Sequence, residues 1–158
     1  MELKKAFDSV SKEEMKYLLD IPIWLALTAA YRNDGVVSES EKADAVKLAH
    51  LRTFTAPKSL QQYYEKVDGI FEKRFEVLNS RLPKSERDRE IYLVSQIKRS
   101  HALIKKLDRD VAETLEASLA SFYEHVFRAD KSFFQYFALP VISNRLDKKS
   151  RSFNFEKP

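Results

Sequence analysis

The chain has 158 residues, 44% of them apolar and 12% aromatic, with two glycines, no cysteine and a net charge of +4 from 28 basic and 24 acidic side chains. That composition excludes disorder from low hydrophobicity, a disulfide framework, thiolate metal sites and cysteine nucleophiles. The charge is too small to require a nucleic-acid partner, and the length suits one core.

Ser11-Lys12-Glu13-Glu14 has the pattern of a capping box, in which hydroxyl and carboxylate each satisfy an orphan N–H at a helix start. A first helix is expected from about residue 12. Pro22 has no N–H and disfavours helical geometry in the residue before it, so a break or kink is expected there. A second helix then runs from about 22 to 32 and carries Ile23, Trp24, Leu25, Leu27 and Ala30. Apolar nearly all round, it should be the central element.

Asn33-Asp34-Gly35 ends that helix, because glycine accepts the left-handed conformation of a C-cap. Ser38 with Glu41 opens the next as a second capping box. Pro57 and a further box from Ser59 to Gln62 start a longer helix whose face is Leu60, Tyr64, Val67, Phe71, Phe75 and Leu78. Pro83 closes it. Ser85 with Asp88 starts a helix to about residue 107, with Ile91, Val94, Ile97, His101, Ile104 and Leu107 as its expected inner stripe. Another covers about 109 to 128, with Leu115, Leu119, Phe122 and Val126 buried. Phe133 to Phe137 begins a last short helix that Pro140 interrupts; this aromatic run reads as core or as a partner groove. Residues 147 to 158 form a basic tail in which Phe153 and Phe155 alternate, and both rings are expected to dock on the bundle or on a neighbouring chain.

With no long linker and no repeat, residues 1–158 read as a single all-α domain, a compact bundle of about six or seven helices. The most apolar stretch, Ile21 to Ala30, is about half of what a bilayer span needs, and the start of the chain has no apolar leader. A cytoplasmic location with no transmembrane segment is therefore expected.

The helix-linking segment from Ala30 to Glu41 is the main candidate site. With Gly35 on the sixth position of a calcium-binding loop, Asp34 falls on the fifth, Ser38 on the ninth and Glu41 on the twelfth. The first and third positions fall on Ala30 and Arg32, which offer no carboxylate. A looser site using Asp34, Glu39, Glu41 and Asp44 would hold a divalent cation only weakly; the competing reading is a C-cap followed by an N-cap. The run from Ile23 to Lys42, an apolar helix leading through Asn33-Asp34-Gly35 to Ser38 and Glu41, resembles the TerB-like, tellurite-resistance family. The resemblance implies an all-α fold, a link to stress responses or membrane-associated complexes, and a ligand role for Asp34 and Glu41. The second acidic turn of that family has its nearest counterpart at Arg128 to Ser132, where Lys131 replaces glycine.

The remaining features carry less chemistry. His50, His101 and His125 form no cluster in sequence, no Glu-x-x-His pair is present, and there is no phosphate-binding or dinucleotide glycine motif. No catalytic residues are assigned; an enzyme would need carboxylates converging from distant helices. Residues 84–109 carry 8 basic against 4 acidic side chains, so Lys98, Arg99, Lys105 and Lys106 read as a solvated face or, if they share a stripe with the tail, as a nucleic-acid surface. The preferred expectation is a non-enzymatic helical binding or scaffold module with a protein partner or a second copy of itself. No cofactor is expected beyond a weakly held divalent cation.

Overall fold

The computed structural model describes residues 7–126, apart from the side chains of Asn33 and Asp34. The aromatic run Phe133 to Phe137, the Arg128 to Ser132 turn and the tail with Phe153 and Phe155 lie outside the described residues. Within these, five α-helices and one short 3-10 turn are present and no strand: α1 (Lys12–Asp34), α2 (Glu39–Thr55), the 3-10 turn Lys58–Leu60, α3 (Gln61–Ser80), α4 (Glu86–Ile104) and α5 (Arg109–His125). The expectation of six or seven is corrected to five among the described residues, chiefly because the first two expected helices are one.

That merger turns on Pro22. A proline inside a helix leaves the carbonyl four residues earlier without its N–H partner, here Leu18 O. Tyr63 of α3, fully buried, donates its hydroxyl to that carbonyl at 2.5 Å, so the helix passes through Pro22 with its acceptor satisfied. α1 is therefore 23 residues long, about 35 Å at the usual helical rise. From Ile21 to Ala30 every residue is buried, and α3, α4 and α5 pack around it while α2 lies mainly against α3.

The caps explain the other boundaries. Ser11 with Glu14 and Ser38 with Glu41 form complete capping boxes, and Ser85 accepts from the Asp88 N–H. Gly35 closes α1 at φ 79°, its N–H bonded to Tyr31 O. The expected box from Ser59 to Gln62 does not form: α3 begins through the 3-10 turn after Pro57, with no side-chain cap. Leu60 itself is buried, so packing places that start.

Leu60, Tyr64, Val67, Phe71, Phe75 and Leu78 all lie in the core, as do Leu115, Leu119, Phe122 and Val126. On α4 the expected stripe holds at Ile97, Ile104 and Leu107 and fails at its start. Leu93, Ile97, Ser100, Leu103 and Ile104 face inward, whereas Ile91 is 57% exposed and Val94 only half-buried. The inward face begins at Leu93 rather than Ile91 and joins the expected stripe at Ile97.

Candidate functional site

The acidic turn expected from the sequence does not assemble a ligand set among its described atoms. Glu41 Oε1 accepts from the Ser38 N–H at 2.9 Å, and the Ser38 hydroxyl accepts from the Glu41 N–H at 3.1 Å, so this carboxylate is engaged as a cap. Glu39 is exposed on the first turn of α2, and Asp44 lies exposed more than a turn further on. Arg32 turns away into an ion pair with Glu90 at 2.6 Å. Among the described residues no group of three or more histidine and carboxylate side chains converges on a metal-sized centre.

The histidines are likewise dispersed. His50 pairs with Asp68 at 2.9 Å and meets the Phe54 ring edge-on; His125 Nδ1 lies 2.7 Å from Ser121 O. His101 Nδ1 faces Glu116 at 3.1 Å. Glu116 is 8% exposed, and burial pushes its carboxyl up to about 7, with Lys105 opposing the shift and Glu113 adding to it. The basic face is divided too. Lys106 binds Glu14 at 2.5 Å, while the Arg99 guanidinium lies over the Tyr17 ring at 3.7 Å.

What the fold does bring together is a cleft of about 310 Å³ between α1, α3 and α4. α1 contributes Glu13, Lys16, Tyr17, Asp20 and Trp24, which share a face because they fall at three- and four-residue steps. α3 and the residue after it contribute Arg74, Leu78 and Arg81; α4 contributes Tyr92, Gln96 and Arg99 at the same spacing. The volume is at the lower end for a small-molecule site.

Its interior is aromatic and apolar. Trp24, 3% exposed, meets the Tyr92 ring edge-on with centroids 5.9 Å apart, and Leu78 is buried beside them. Asp20 is also buried, and Arg74 meets it with a fork, Nε to Oδ1 at 3.1 Å and Nη2 to Oδ2 at 2.7 Å. This two-point charge-assisted contact uses both carboxylate oxygens and raises the Arg74 guanidinium further above its ordinary value. The rim is cationic. Arg81, Arg99 and Lys16 are exposed, and none of them makes an ion pair among the described residues, unlike Arg32, Lys42, Arg74, Lys106 and Arg109. Four cations against Glu13 and Asp20 leave the cleft at +2.

In the sequence, Trp24 reads only as core and Arg99 only as part of a basic face, and Asp20 and Arg74 go unnoticed. The signal was Asp20 itself, a carboxylate inside the apolar run from Leu18 to Leu25, since a charge placed so deep needs a partner.

A second groove, about 430 Å³, runs between Leu48, Leu51 and Thr55 of α2 and Ser121 and His125 of α5, crossed by the Arg52–Ser121 hydrogen bond at 3.0 Å. Leu51 and Phe54 are 51% and 70% exposed along α2. Among the described residues no helix is long and apolar enough to cross a membrane. Compared with protein-family models, curated proteins and solved structures, the chain matches none of them.

Proposed function

We propose that this chain is a non-enzymatic helical binding module whose ligand site is the α1–α3–α4 cleft, and that the ligand is a small anion. One observation carries the reading: the buried carboxylate of the cleft is taken up by Arg74, while Arg81, Arg99 and Lys16 stand around its mouth without ion-pair partners among the described residues. Like charges gathered at a concave, partly apolar surface raise the local concentration of the opposite sign. The acidic turn takes no part in this reading, because Glu41 serves α2 as a cap. Nor does the TerB-like resemblance, which is confined to Ile23 to Lys42 and leaves out the α3 and α4 walls.

The test is a melting-temperature screen of organic anions against matched neutral analogues at constant ionic strength. An anion at a hundredfold its Kd stabilises by about 2.7 kcal/mol. For a chain of this size that corresponds to a rise of roughly 5 to 10 °C. The rise is expected in wild type and absent from the double variant Arg81→Glu/Arg99→Glu. A rise that survives the charge reversal would put the ligand elsewhere, and a screen in which no anion exceeds its neutral analogue would remove the proposal.

A further inference from the structure

The cleft joins an aromatic, apolar lining to cationic side chains, and that combination narrows the class of anion. Its apolar lining is formed by Leu78, the small exposed part of Trp24 and the Tyr92 ring set edge-on to it at 69°, an aromatic corner without charge. The rim carries the guanidinium groups of Arg81 and Arg99, neither of them in an ion pair among the described residues. Asp20 and Arg74 neutralise one another, so the pair adds no net charge to the cleft.

Arg99 is also oriented in advance. Its Cζ lies over the Tyr17 ring at 3.7 Å, which holds the guanidinium in place, and its N–H groups make no hydrogen bond among the described residues. Those N–H groups match the two oxygens of a carboxylate or phosphate. A bare oxyanion would use this rim and leave the aromatic wall unfilled. A neutral ring would use the wall and leave the cations unmatched. At about 310 Å³ there is room for one ring system with its charged group, not for a polymer chain.

We infer that the cleft takes an oxyanion carried on a flat apolar ring, an aryl phosphate or aryl carboxylate, with the oxyanion on Arg99 and Arg81 and the ring against Trp24 and Tyr92. This rests on the anion-binding reading of the same cleft. The chain supplies its own reporter, because Trp24 is its single tryptophan and lines the site.

The experiment titrates the full chain with phenyl phosphate, benzoate, inorganic phosphate and phenol, following Trp24 emission and, in parallel, heat by calorimetry. Saturable binding of phenyl phosphate or benzoate is expected, with inorganic phosphate and phenol each at least tenfold weaker. The relative strength of the two aryl anions tells which oxyanion is preferred. Arg99→Gln should weaken the aryl anion at least tenfold, while Arg109→Gln, which removes an exposed cation on α5, leaves it unchanged; circular dichroism checks that both variants fold. Inorganic phosphate binding as tightly as phenyl phosphate would overturn the ring requirement and leave an anion-binding cleft standing. Phenol binding as tightly would overturn the anionic class altogether. Binding indifferent to Arg99→Gln, or no response to any probe, would overturn the site as well.

Discussion

Tyr63 shows how one side chain can decide a helix boundary. Its ring stacks on Phe7 with centroids 5.9 Å apart and meets Tyr64 edge-on, and its hydroxyl reaches the one carbonyl that Pro22 orphans. Removing the hydroxyl leaves a buried acceptor unsatisfied, so Tyr63→Phe should cost about 1–3 kcal/mol. The same change in a Pro22→Ala background should cost less, because alanine at 22 restores the N–H that Leu18 O lacks. Urea melts of the four members of that double-mutant cycle measure the coupling. Equal costs in both backgrounds would mean that the hydroxyl does not substitute for the missing N–H. Asp20 and Arg74 obey the same rule in charged form, since a carboxylate this deep persists only with its partner.

At the scale of the element, the helix starts separate into those made by caps and those made by packing. The Ser38 hydroxyl accepts from the Glu41 N–H while the Ser38 N–H donates to the Glu41 carboxylate, whereas Ser59, with a similar sequence pattern, caps nothing. Ser38→Ala is therefore expected to lower stability by about 0.5–2 kcal/mol, and Ser59→Ala to change it by no more than about 0.5 kcal/mol. Chemical denaturation of the two variants side by side distinguishes a cap in sequence from a cap in space. α3 loses little by lacking one. Leu60, Tyr64, Val67, Phe71, Phe75 and Leu78 are all in the core, and each large apolar side chain fully buried is worth about 1.5–3 kcal/mol relative to exposure. That sum outweighs any cap.

At the scale of the whole molecule, Glu116 ties stability to pH. Burial between α4 and α5 pushes its carboxyl from an ordinary 4.5 up to about 7, so between these values the folded chain holds a proton that the unfolded chain has lost. The contribution is fully present below about 4.5 and is lost as pH rises through the folded value, the reverse of a salt-bridged carboxylate. Glu116→Gln should flatten the stability profile between pH 5 and 7. At pH 7.5 it should gain at least on the order of 1 kcal/mol over wild type, since a tenfold difference in proton affinity is worth about 1.4 kcal/mol. Melts across pH 4.5 to 8 check it, and parallel profiles for the two proteins would contradict the assignment.

Much of the helical frame follows from local chemistry. Two reciprocal serine–glutamate caps, the Ser85 cap, the left-handed Gly35 and the α3 and α5 stripes depend on residues within a few positions of each other, so spacing alone reveals them. Pro22 reads locally as an interruption because its remedy, Tyr63, is a distant residue, 45 positions along the chain from the Leu18 carbonyl it satisfies. The cleft is hidden for the same reason. Trp24 reads as a core residue of its helix and Arg99 as one cation of a basic face, and nothing in their spacing joins them to Tyr17, Arg74, Arg81 or Tyr92. Periodicity reports which face of a helix is apolar, whereas which three faces meet is set by packing across distant segments. The acidic turn offers two readings in sequence, a common centre for carboxylates and a helix start, and of these the structure shows Glu41 in the helix start.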